Sequence, residues 1–261
     1  MGINLFNLFG LNTGSVKSNV EIKPKQTSFG NYVSYPQDSF KTNSVNKYFD
    51  EKYIRYSIAS NPKIKEILKQ INSNGELNIT ELNELSKGHL ADTKTIVEGM
   101  LNNLPLGLKQ HTNIKALKEA AYLHDIGKVL IPKEILNKKE RLSEKEKEIM
   151  HKHSELGYEI LKNSDIDTRT LDLVKYHHQN ASHSGYPKVK SDFFADINLQ
   201  ILNTADKYAA LTEKRTYKEP FDKDTALKII YKDVIAGNIH PFVFKSLNDY
   251  LNKTKELTHI S

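Results

Sequence analysis

The stretch Ala116-Leu117-Lys118-Glu119-Ala120-Ala121-Tyr122-Leu123-His124-Asp125-Ile126-Gly127-Lys128 decides how this chain is read. Ala116, Leu117, Ala120, Ala121 and Leu123 recur at helical spacing, so the segment is predicted to be a helix with one buried face that leads into His124 and Asp125. Lys128 follows His124 by four residues, one helical turn on along the same face. An imidazole, a carboxylate and an ammonium then converge. Phosphoester hydrolysis needs this grouping: metals to make a nucleophile of water and neutralise phosphoryl oxygens, and a cation for the remaining anionic charge.

The helical period extends outward in both directions. Asn61-Pro62 supplies a cap and a first-turn proline for a helix carrying Ile64, Ile67, Leu68 and Ile71. Ile96, Val97, Met100, Leu101 and Leu104 form a second stripe. Ser143 and Glu146 form a capping box that opens a helix through Met150 and His153 to Leu161. Further stripes cover 171–176, 199–211, 226–234 and 243–251, while the continuous apolar runs of a parallel sheet are missing, so the fold class is all-α. Residues 1–50 keep no period and read as an unstructured leader, and 51–85 as a short helical N-terminal region. Gln70–Glu81 has the outline of a calcium loop, with Asn72, Asn74, Gly75 and a twelfth-position Glu81. Gln70 replaces the first carboxylate, however, and a plain turn between helices explains the segment equally well.

Composition narrows the chemistry. The chain has 261 residues, 38% hydrophobic and 27% charged, enough for a globular domain with an appendage. Its apolar stretches stay well short of the ~20 residues that cross a bilayer, and the start lacks a secretory signal, so the expectation is a cytoplasmic protein without membrane insertion. The net charge of +6 is spread evenly and favours anionic ligands weakly; without a basic stripe interleaved with aromatics, no nucleic-acid partner is expected. Cysteine is absent, which excludes disulfides, thiolate nucleophiles and sulfur-ligated metal, so a metal must bind through His and carboxylates. His177-His178 and Asp206 join His124-Asp125 as candidates. Asp206 sits in an apolar stripe where a carboxylate is costly to bury unless paired or bound to metal. For any one histidine alone, a surface or hydrogen-bonded core position explains the residue as well as ligation does.

Taken together, these motifs resemble the HD-domain phosphohydrolases of the HD-GYP subgroup. His124-Asp125-Ile126-Gly127-Lys128, with Ile131-Pro132 and Ile135-Leu136, is similar to the subgroup's first motif. Met150-His151-Lys152-His153, His177-His178, Gly185-Tyr186-Pro187, Asp206, Ala210-Leu211-Thr212, Arg215, Tyr217 and Lys218 follow in the family's order. His240-Pro241 stands where the family usually has Asp-Pro. The likeness covers about residues 86–252 and sets the HD-GYP-like domain at 86–255. It implies an HD-domain helical bundle with a binuclear centre: one metal on His89, His124 and Asp206, the other on His153, His177 and His178, and Asp125 bridging. His89 lies 35 residues before His124; its rival, His111, lies 13 before, in an inter-helix loop. Leu85 stands where trimetal members carry Glu, which favours two divalent transition metal ions. Iron or manganese suits the family, and the ligand types alone also admit zinc or nickel.

The resemblance further implies hydrolysis of cyclic di-GMP to pGpG, and onward to GMP, by a hydroxide bridging the metals. Asp125 and Lys128 would serve the chemistry, and Lys128, Tyr186, Arg215 and Lys218 would contact substrate. The loop after the double histidine departs from the family: Gln179-Asn180-Ala181-Ser182-His183 lacks its charged and aromatic residues, and Gln179 offers no carboxylate to orient an imidazole. Thr216 replaces the usual Pro. These departures keep two alternatives open, a phosphohydrolase for another nucleotide or phosphoester, and a catalytically weak signalling module with a homodimeric or signalling-protein partner. His183 reads as loop filler, His151 as exposed on another face of its helix, and His259 as tail.

Overall fold

Polar caps and apolar stripes divide the chain into helices, and the computed structural model describes residues 45–85, 88–213 and 219–258. A 3-10 turn, Val45–Phe49, leads into α1 (Glu51–Ser60), α2 (Pro62–Gln70), α3 (Ile79–Leu85), α4 (His89–Asn103), the single-turn α5 (Leu106–Lys109) and α6 (Ile114–Leu123). A second 3-10 helix, Ile126–Leu130, precedes α7 (Lys133–Leu136) and α8 (Glu144–Leu161). The order then closes with α9 (Thr168–Tyr176), α10 (Ile197–Thr212), α11 (Lys223–Ile235) and α12 (Pro241–Thr258). Among the described residues there is no strand.

Short polar side chains set the helix starts. Asp50, Asn61, Asn113, Asp167, Asp196 and Asp222 each accept a backbone N–H of the helix that follows, satisfying donors that have no partner within the helix. The Ser143–Glu146 capping box forms, and α8 runs to Leu161 as its sequence predicts.

The stripes meet in one core. Ile96, Val97, Met100 and Leu101 of α4 are buried with Ala116, Leu117, Ala120 and Ala121 of α6, each large aliphatic side chain contributing about 1.5–3 kcal/mol. Helix α4 is central, packed on α6, α10 and α12; α9 lies on α6, and α8 lies on α9 and on the 3-10 helix 126–130. Helices α1 and α2 pack on α8, so residues 51–85 share the core with the residues that follow. Asn61 Nδ2 donates to Glu159 O (2.9 Å) and Oε2 (2.8 Å), and the Tyr53 hydroxyl donates to Ile160 O (3.1 Å). The packed region also begins before residue 51. Tyr48 is only 4% exposed and its hydroxyl donates to Asp165, because this isolated aromatic finds its partner 117 residues away, beyond the reach of any local period. The leader before residue 45 lies outside the described residues.

The segment 70–81 is a turn. Asn72 and Gly75 take φ of 52° and 74°, Asn74 Oδ1 accepts the Glu76 N–H, and the Asn78 N–H donates to Val129 O, tying the turn to the 3-10 helix 126–130. Its asparagines are spent on turn geometry. Among the described residues no helix is long and apolar enough to cross a membrane.

Candidate metal centre

The centre is built where α6 ends. Its helix stops at Leu123, and the chain tightens into the 3-10 helix 126–130, with the Lys128 N–H donating to Asp125 O at 2.9 Å. Lys128 therefore does not continue the helix of His124, as the spacing predicts; it reaches Asp125 across three residues, Nζ to Oδ2 2.6 Å. The tight turn lies directly on α8. A Cβ on Gly127 would stand 2.0 Å from His153 O and 2.5 Å from Gly157 N, so glycine is what lets the two backbones meet and brings His153 to Asp125.

The side chains fall into two groups of ligand-type atoms, each lying within 4.8 Å of one another: His89, His124 and Asp206, and Asp125, His153, His177 and His178. Asp125 faces both. Its Oδ2 lies 3.4 Å from His124 Nε2 and 3.8 Å from His89 Nε2, while its Oδ1 lies 3.2 Å from His153 Nε2 and 3.8 Å from His177 Nε2. Asp206 Oδ1 lies 2.9 Å from His89 Nε2 and 3.5 Å from His124 Nε2, and its Oδ2 lies 4.0 Å from His178 Nδ1. The Nδ1 atoms of His124, His153 and His177 lie 3.0, 2.7 and 2.8 Å from the carbonyls of Ala121, Met150 and Val174. A carbonyl only accepts, so each Nδ1 carries a proton and each Nε2 is turned into the centre. His124 Nε2 and Asp125 Oδ1 are buried without a hydrogen-bond partner. Buried orphans of this kind, in a set of imidazoles and carboxylates, fit a divalent transition metal.

The electrostatics fit as well. Burial disfavours charge on Asp125, but Lys128 and His124 hold its carboxyl well below the usual range; His124 and His89 do the same for Asp206. Burial takes His177 well below the ordinary imidazole value, with the neighbouring imidazoles adding to it, and takes His178 down to about 3 despite Asp206. His124 goes the other way. Burial opposes its charge, yet Asp125 and Asp206 push it up to about 10. Two carboxylates are thus charged and two imidazoles neutral at neutral pH, the protonation state that metal ligands require.

Other residues frame the centre. A Cβ on Gly185 would stand 1.9 Å from His178 O, so this glycine lets the 185–187 segment fold back on the double histidine. The Tyr186 ring then lies 4.5 Å from the His178 ring and stacks on His151 at 3.7 Å. His151 is therefore not simply exposed on another face: the returning loop covers it. Gln179 is 1% exposed, donates to Pro187 O and accepts the Asn180 N–H, holding the same segment in place. His183 bonds Phe193 O at 2.9 Å and His111 is exposed beyond α5, so neither enters the cluster. Arg215 and Lys218 lie outside the described residues, as do Thr216 and His259. Sequence reasoning missed Glu213, whose Oε2 lies 3.8 Å from His89 Nδ1. Its signal was position, since it follows Asp206 by seven residues, two turns along the same helix face.

The family model of the HD domain matches residues 65–236. The cyclic di-GMP phosphodiesterase response regulator RpfG of Xanthomonas campestris pv. campestris is 35% identical over 129 residues, 48% of this chain and 34% of the relative. The 3'3'-cGAMP-specific phosphodiesterase 2 of Vibrio cholerae is 40% identical over 107 residues, 40% of this chain and 20% of the relative. The chain spans about a third or less of the length of these curated relatives. Among solved structures, Bd1817, a HDG"Y"P protein from Bdellovibrio bacteriovorus, shares the fold with a TM-score of 0.54 at 16% identity, over 80% of this chain and 68% of that one. With the family model covering well over half of its length, the chain belongs to the HD domain family.

Proposed function

We propose that this chain is a metal-dependent cyclic dinucleotide phosphodiesterase that hydrolyses cyclic di-GMP to pGpG and then GMP, with the activity in residues 86–255. The observation that carries the reading is Asp125, whose two carboxylate oxygens face two separate groups of imidazoles. Two divalent transition metal ions, iron or manganese, held by His89, His124 and Asp206 and by His153, His177 and His178 with Asp125 shared, would supply Lewis acidity toward the phosphoryl oxygens and activate water at neutral pH. Lys128, with 23% of its side chain exposed beside Asp125, offers an ammonium to a substrate phosphate at the edge of the centre. Arg215 and Lys218 are proposed as further phosphate contacts. Tyr186 shapes the wall beside His178 through its ring.

The altered loop does not argue against turnover. Gln179 carries no carboxylate, but His177 is oriented by the Val174 carbonyl and needs none from that position. This favours an enzyme over a weakened binding module. The names of the two relatives, one for cyclic di-GMP and one for 3'3'-cGAMP, support cyclic dinucleotides as the substrate class and make the mixed nucleotide the second substrate to try. The test is elemental analysis of the purified protein, paired with anaerobic hydrolysis of both nucleotides by wild type and by Asp125→Ala. About two metals per chain with Asp125-dependent turnover is the expected result. A filled centre without turnover would move the reading to another phosphoester, and a chain that takes up no metal would leave a signalling module.

A further inference from the structure

A cavity of about 330 Å³ opens directly beside the centre, with His178 and Asp206 in its wall. Helix α10 supplies one side through Asn203, Asp206, Lys207 and Ala210, spaced i, i+3, i+4 and i+7 on one face. Ala210 and Ile239 give it apolar surface. Gln200 is spent on both ends: its Nε2 donates to Ala195 O and its Oε1 accepts the His240 N–H. Gln179 is spent likewise on Pro187 and Asn180, so these amides form fixed walls. The asparagines of the wall are partly engaged, Asn203 Nδ2 donating to His177 O and Asn238 Oδ1 accepting the Ser182 N–H, and beside the residues of the centre the charged groups facing the cavity are Lys207 and Asp233, an ion pair in its wall between α10 and α11 with 36% and 28% of their side chains exposed. Lys207 Nζ donates to Asp233 Oδ2.

We propose that Asp233 and Lys207 read the Watson–Crick edge of a guanine base whose phosphate lies at the metal centre. The inference rests on the phosphodiesterase reading and deepens it by naming the residues that set base specificity. A cavity of this volume suits a nucleobase, and its apolar surface suits a purine face. Guanine presents N1–H and N2–H donors beside the O6 acceptor on one edge. A carboxylate accepts the two donors through its two oxygens, and a lysine ammonium donates to O6. In the same register adenine sets its N1 acceptor against the carboxylate and its C6 amino donor against the ammonium, a mismatch at both groups. Lys207 follows Asp206 directly in the chain, which ties the base-reading pair to the ligand that would hold the phosphate end. An ion pair about a third exposed adds little to stability, so holding α10 to α11 is a weak reason for its placement.

The test uses the metal-loaded full chain and hydrolysis-resistant phosphorothioate analogues of cyclic di-GMP, cyclic di-IMP and cyclic di-AMP, with binding measured by calorimetry. Cyclic di-IMP lacks only the exocyclic amine. Wild type is expected to bind the guanine analogue about 10- to 100-fold more tightly than the other two, the range for a hydrogen bond to a charged group. Asp233→Asn should abolish the difference between guanine and hypoxanthine while metal content and thermal midpoint stay unchanged. Lys207→Met should weaken both of those analogues, which share O6, and leave the adenine analogue unaffected. Equal binding of all three analogues by wild type, or a guanine preference that survives Asp233→Asn, overturns the base-reading pair and leaves the phosphodiesterase reading standing. Failure of wild type to bind any of them overturns both.

Discussion

Asp125 is 1% exposed and still carries two carboxylate oxygens that no nearby donor set fully satisfies, since Lys128 and the imidazoles share them. Replacing it with Ala removes the shared ligand of both groups. Metal content should fall by at least half and hydrolysis by about 100-fold or more, because even groups that only orient a ligand cost 10–100-fold; elemental analysis and initial rates check this. His124 yields a pH expectation. With its pKa pushed up to about 10 it holds a proton at neutral pH that a metal must displace, whereas His177, His178, Asp125 and Asp206 have none to release. Affinity for the ion held by His124 should therefore rise about tenfold per unit from about pH 6 to about pH 8, with one proton released from His124 as that ion binds, a slope that calorimetry in buffers of different ionisation enthalpy reads directly. The His151–Tyr186 stack adds a milder expectation. His151→Ala should loosen Tyr186 against His178 and weaken metal binding at that group by about 2- to 10-fold, the range for an aromatic pair, without unfolding the chain.

Helix α8 and the 3-10 helix 126–130 decide whether His153 and Asp125 meet. Gly127→Ala places a methyl group inside the backbone of α8 and should cost about 3 kcal/mol or more, because no flexible side chain can move aside. Thermal unfolding and metal content should fall together in this variant. Ser143→Ala acts on the far end of the same helix, where the capping box is exposed. It should cost about 1 kcal/mol, a Tm drop of roughly 2–4 °C, with metal content unchanged. The start and length of α8 were legible because a capping box and an apolar period are local signals. The change from α to 3-10 geometry after Leu123 was not: it is imposed by α8 pressing on Gly127, from residues about 30 positions further along.

At the scale of the molecule, the centre gathers seven side chains from α4, the α6 terminus, α8, the α9 terminus and α10, so metal binding couples these helices to one another. Chelation should lower the Tm by roughly 8–16 °C, since a metal held at about a thousandfold its Kd stabilises by about 4 kcal/mol; restored metal should reverse the shift. A chain whose Tm ignores chelator would not hold metal there. The sequence by itself determined the all-helical class, the caps and apolar stripes, and the ordered His, Asp and Gly-Tyr-Pro motifs, because period, capping and spacing are properties of neighbouring residues. The tertiary structure places His89, which the resemblance favoured, and not His111 beside His124; it alone shows that the 185–187 segment returns over His178 and covers His151, that Tyr48 belongs to the core, and that Lys207 and Asp233 meet in the wall of a cavity. These contacts join residues 26 to 117 positions apart or follow from the docking of one helix against another. A local period ranks which face of a helix is buried, but it does not say which other helix that face will meet.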